Sequence, residues 1–98
     1  MDSHYEKNGI SFVWNARKAV ANPKKHDGIT FEQATEAFFD PFFKLVDAGR
    51  NEEAQAAVIG YDEAGQLLFV VHIELEGDVI RLISACKATV TERNDYDF

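Results

Sequence analysis

In residues 10–14, "ISFVW", β-branched and aromatic side chains alternate, the period-two pattern of a short strand. Asn15 follows as a side-chain cap for a helix built from "ARKAVAN". Pro23 has no N–H and clashes one turn back, so this helix is expected to end near Asn22 or to kink there. "TFEQATEAFFD" opens with Thr30 and Gln33 at capping-box spacing and places Phe31, Ala34, Ala37 and Phe38 on one helical face. Pro41 stops that second helix. "FFKLV" reads as a strand and the acidic "DAGRNEE" as the turn after it. "AQAAVIGY", "QLLFVVHIE" and "DVIRLISA" are three further strands, joined by "DEAG" and "EG". Connections this short favour antiparallel neighbours. Thr89 and Glu92 form a second capping box, before a short polar helix.

The expected order is therefore β-α-α-β-β-β-β-α. This is an α+β layout in which helices cover one face of an antiparallel sheet. Trp14, Phe31, Phe38, Leu68, Val70, Ile80 and Leu82 are its expected core. At 98 residues the chain fits one domain, with residues 1–9 expected to be flexible. No apolar run approaches the length of a membrane span, and the polar start does not read as a signal peptide. A single cysteine, Cys86, builds no internal disulfide and fits a reducing, cytoplasmic address.

A net charge of −7 repels nucleic acid, so any RNA contact must come from a local basic patch. Arg17, Lys18, Lys24 and Lys25 are four of the ten cations and lie close together, which makes them the candidate. Lys18, Asn22 and Lys25 share one helical face, with His26 beside them. That face could cradle phosphate, with His26 carrying a proton near neutral pH; the alternative is a solvated basic face. Arg81 is either a site cation or the partner of Glu74 or Glu76 in a cross-strand ion pair. His72 alternates with Leu68 and Val70, as a packed residue would. His4, His26 and His72 lack metal-ligand spacing and there is no glycine-rich phosphate loop, so neither metal nor cofactor is expected.

The string from Phe12 to Pro41 resembles the opening of the BrnT toxin family. The matching residues are Phe12, Trp14-Asn15, Lys18-Ala19, Asn22, Lys25-His26, Thr30-Phe31 and Asp40-Pro41. Downstream, Ile59-Gly60, Leu68, Val70-Val71, "IRLISA", Ala88-Thr89, Glu92-Arg93 and Tyr96 are similar to the family as well. The resemblance implies a RelE-like fold and a metal-free endoribonuclease toxin in which a ribose 2′-OH attacks the adjacent phosphate. It also implies a ribbon-helix-helix, BrnA-like antitoxin as partner, with operator DNA reached only through that antitoxin. Lys18, Lys25, His26 and Arg81 are the catalytic candidates it supports.

The chain departs from the family where the family carries cations. Cys86 stands in place of the arginine of "ISAR", and Gln55 in place of an arginine before the Ile-Gly pair. "ELE" (Glu74–Glu76) replaces a "TER" pattern. Loss of one positioned transition-state donor costs on the order of 100- to 1000-fold in rate. An attenuated nuclease is therefore expected, or a degenerate toxin fold that only binds its antitoxin. Cys86 itself is expected to be a small half-buried residue. A nucleophile would need an activating base, and Lys87, its neighbour along a strand, points to the opposite face.

Overall fold

The structure, a computed structural model, describes residues 1–49 and 55–97. It is α+β, with six strands and three helices: β1 (Asp2–Lys7), β2 (Ile10–Asn15), α1 (Ala16–Lys25), α2 (Phe31–Thr35), β3 (Lys44–Asp47), β4 (Ala56–Tyr61), β5 (Leu67–Leu75), β6 (Val79–Lys87) and α3 (Val90–Asp97). A 3-10 segment, Glu36–Phe39, continues α2. Part of the expected turn "DAGRNEE" falls on residues 50–54, outside the described residues.

The sheet order is β1-β2-β6-β5-β4-β3. Every pair is antiparallel except β2–β6, where Phe12 lies beside Ile80 in parallel register. The sheet is thus mixed, correcting the antiparallel expectation. The cause is topological: the helices carry the chain from β2 to the far edge, and the meander returns so that β6 ends beside β2 in the same direction. The order also gains a strand, because residues 2–7 form β1 within the segment expected to be flexible. "DSHYEK" is polar on both faces and gives no apolar alternation. Its signal is Asn8-Gly9, both with positive φ (50° and 81°), at the turn of a two-residue hairpin.

Helix α1 runs past Pro23 to Lys25, so it does not end near Asn22, which was one of the two expected outcomes. The carbonyl of Asn22 still accepts the His26 N–H and that of Pro23 the Gly28 N–H, so the C-terminal turn closes around the proline. "FFKLV" is a strand only from Lys44, leaving Phe42 and Phe43 ahead of it. Thr30 caps α2 through the Gln33 N–H, whereas the Gln33 side chain turns away to Asp62. At Thr89 the capping box is reciprocal.

The core lies between the helices and one sheet face: Phe12, Trp14, Ile29, Phe31, Ala34, Ala37, Val58, Leu68, Val70, Leu82 and Ala85, all buried. Phe38 and Ile80 are half-buried against it. Gly60 sets the closest approach, since a Cβ there would sit 2.5 Å from the Ala37 carbonyl oxygen. α3 packs on the other face through Tyr61 and Tyr96, whose rings meet at 5.3 Å. Helices therefore reach both faces, not one. The Tyr96 hydroxyl donates to Asp40, which also accepts the Tyr61 and Phe42 amides. Burial alone would raise the pKa of Asp40, but these donors outweigh it and hold the carboxyl below the usual range. Tyr96 is pushed up to about 12 by burial and by the Asp40 carboxylate. Among the described residues no helix is long and apolar enough to cross a membrane.

Candidate functional site

α1 lies across β6, and its side chain Asn22 fixes the crossing. Beyond the three-residue pairing with β2, the outer edge of β6 has no strand neighbour among the described residues. Asn22 fills that place: its amide nitrogen donates to the carbonyls of Ala85 and Ile29, both at 2.8 Å, and its oxygen accepts the Ala85 N–H at 3.1 Å. The side chain is 95% buried, being 5% exposed, and works as a short piece of strand. Asn22 thus belongs to the scaffold, although helical spacing grouped it with the basic face.

The same crossing leaves a cleft of about 140 Å³ lined by Lys18, Lys25 and His26 from α1 and by Ile83 and Ser84 from β6. One helical turn separates Lys18 from Asn22 and nearly another separates Asn22 from Lys25, so the buried amide holds a cation on either side of it. His26 is the C-cap of α1 and is half-buried, its backbone N–H anchored on Asn22. Three of the four expected site residues therefore meet in one place. Ile83 is the extra residue of a β-bulge, since Val71 pairs with Ser84 and His72 with Leu82. The bulge re-aims Ile83 and Ser84 towards the cleft, a common device beside functional sites. Neither residue was singled out from the sequence, because a two-for-one register has no local signature.

Arg81 does not line this cleft. Its guanidinium is held by Asp2 at 2.8 Å, which replaces the expected pairing with Glu74 or Glu76. The hydrogen bond to Arg81 in turn holds the Asp2 carboxyl below its usual range. Because Asp2 comes from β1, this partner was hidden with that strand.

Ile83 and Ser84 also border a second cleft, of about 520 Å³, on the sheet face that carries α3. Gln55 lines it, with Phe69, Val71, Asp47 and Glu92. Its described lining holds two carboxylates and no cation. Cys86 follows Ser84 by two residues on the same strand and is half-buried, its thiol 3.9 Å from the Phe69 carbonyl. Burial first, and then the charge of Glu92, push the thiol pKa up, opposite to what a nucleophile requires. His72 is buried against the Phe38 ring at 5.0 Å, and burial pushes its pKa down. It is packed, not a ligand. Among the described residues no group of three or more His, Cys, Asp or Glu is placed to hold a metal ion.

A family model described as "Ribonuclease toxin, BrnT, of type II toxin-antitoxin system" matches residues 14–92. This chain belongs to the BrnT family. The match begins at the Trp14-Asn15 pair that ends β2 and caps α1, and it ends at Glu92 beside the second cleft, so it spans both clefts. Asn22, Gly60 and Asp40, among the residues that carry the resemblance, each close a contact between elements. Among the curated proteins none matches the chain.

Proposed function

We propose that this BrnT chain is the toxin of a type II toxin–antitoxin module, a single RelE-like domain that cleaves RNA without metal through attack by a ribose 2′-OH. The observation that carries the reading is the convergence of Lys18, Lys25 and His26 on one cleft beside the β6 bulge. Two ammonium groups there supply charge for the phosphoryl oxygens, and the imidazole of His26 is the group able to accept or return a proton. Arg81 serves as a supporting cation, available to phosphate once Asp2 releases it. The partner is a ribbon-helix-helix antitoxin. The activity is cytoplasmic, where RNA and antitoxin both reside.

A second reading, a degenerate toxin fold retained for antitoxin binding, is favoured by one specific observation. The cleft beyond Ser84 carries Asp47 and Glu92 where an RNA strand would need cations, and Gln55 and Cys86 are neutral. We therefore propose an attenuated nuclease. The test is RNA binding and cleavage by the Lys18→Ala, Lys25→Ala and His26→Ala variants. Each lysine change should weaken binding and reduce its salt slope by about one unit per lost phosphate contact. His26→Ala should lower cleavage more than binding. Unchanged binding in both lysine variants would return α1 to a solvated basic face.

A further inference from the structure

Six of the chain's 17 carboxylates line three adjoining depressions around one apolar feature. Beneath the 3-10 segment lies a trough of about 350 Å³ lined chiefly by Phe38, Phe39, Phe43, Leu45 and Ile80. At one end it shares Phe39 with a cleft holding Glu36, Asp40, Asp62 and Glu63. At the other it shares Glu74 and Ile80 with a depression that also holds Asp78. Among the described residues the one cation lining any of the three is Lys7, and it is already paired with Glu63 at 3.1 Å. Of its lining, Phe43 and Leu45 are 42% and 58% exposed, and Phe42, next to Phe43 in sequence, is 73% exposed. They lead into and lie on β3, the outer strand of the sheet. An apolar surface of this kind with a polar rim is what binding sites present.

We infer that this trough is the docking surface for a cationic, amphipathic segment of the antitoxin, an inference that rests on the toxin–antitoxin reading above. Apolar side chains of that segment fill the trough over Phe39 and Leu45, and Lys or Arg side chains meet Glu36 at one end and Glu74 and Asp78 at the other. Charge decides the occupant. RNA is repelled by six carboxylates, and a second copy would bring another −7 charge onto the same acidic rim. None of the residues lining the three depressions lines the Lys18–Lys25–His26 cleft, so the antitoxin is held at a face separate from the RNA cradle.

The experiment expresses the chain with the protein encoded beside it in its own operon, purifies the complex and measures the dissociation constant. Phe43→Lys and Leu45→Lys change side chains that are substantially exposed and leave the core intact. Each should weaken the complex by on the order of tenfold or more, the loss typical of a central interface anchor. Glu74→Lys should weaken it and flatten its salt dependence, while Lys18→Ala with Lys25→Ala should leave it unchanged. If wild type forms the complex and the trough variants retain its affinity, the docking assignment is overturned and the module stands. If wild type forms no complex, the toxin–antitoxin reading fails first. Trough variants that abolish self-association of the chain alone, or its RNA binding, would overturn the assignment in favour of a second copy or RNA.

Discussion

Replacing Asn22 by alanine separates the scaffold of the cleft from its chemistry, and its cost follows from three hydrogen bonds. The change leaves the Ala85 N–H, the Ala85 carbonyl and the Ile29 carbonyl without their partner. A buried polar group left unpaired costs about 1–3 kcal/mol. The adjoining cleft admits water, which re-pairs part of the set, so the expected loss is roughly 2–4 kcal/mol. A chain of this size has a total stability on the order of 5–10 kcal/mol, so much of the reserve disappears. Urea unfolding followed by Trp14 fluorescence measures it: with a slope of about 1–2 kcal/mol/M, the midpoint should fall by about 1–4 M. Asn22→Asp should be worse at neutral pH, because a carboxylate would face two carbonyl oxygens where the amide donated. Its folded pKa would be raised, so that variant's stability is greatest below the usual aspartate range and falls as pH rises through the folded value. A midpoint shift in Asn22→Ala of less than about 0.3 M would refute the reasoning, since it would mean that the amide carries none of the β6 edge.

Other expectations rest on single contacts. Gly60→Ala places its Cβ against the backbone oxygen of Ala37, which cannot move aside as a flexible side chain would, and should cost about 1–3 kcal/mol in the same unfolding assay. Asp40 has a depressed pKa when folded, so it contributes stability above the usual aspartate range that is lost as pH falls through the folded value; Asp40→Asn should flatten this acid limb. Cys86→Ser should leave both RNA cleavage and alkylation-independent growth effects unchanged, because a thiol with a raised pKa has no nucleophilic role to lose.

How much of this was legible depends on whether the signal was local. The strands from Ala56 to Lys87 show in apolar runs, and the Thr89–Glu92 box is set by two residues three apart. The convergence of Lys18, Lys25 and His26 follows from helical spacing alone. β1 was missed since Tyr5 is its one aromatic residue among polar ones, and the Asn8-Gly9 turn was not read as a hairpin. With it went the Asp2–Arg81 pair, whose members are 79 positions apart. Pro23 does not end α1, and the tertiary bonds of Asn22 hold the chain at that turn. The bulge at Ile83 and the parallel β2–β6 pairing are properties of the assembled sheet, and no short stretch encodes them.

The two halves of the proposed cradle differ in sign, and this gives the Cys86 question a physical form. The half at α1 presents Lys18 and Lys25. The half beyond Ser84 presents Asp47 and Glu92, and the positions that could offset them hold Gln55 and Cys86. Glu92 cannot be dismissed as remote, because its charge reaches the Cys86 thiol. Arginine at 86 would therefore do two things: neutralise the field of Glu92 and offer a planar donor fork to phosphate. Arginine at 55 would supply the second donor from β4's entrance. The double change Gln55→Arg with Cys86→Arg should raise RNA cleavage on the order of 100-fold or more, the scale on which one positioned donor acts. Glu92→Gln alone should tighten RNA binding with a smaller gain in rate, because it removes repulsion without adding a donor. Single-turnover cleavage separates the two effects. If the double variant folds, binds RNA more tightly and still cleaves no faster, the missing guanidiniums are not what limits the reaction. A wild type already as fast as that variant would show the α1 half to be sufficient by itself.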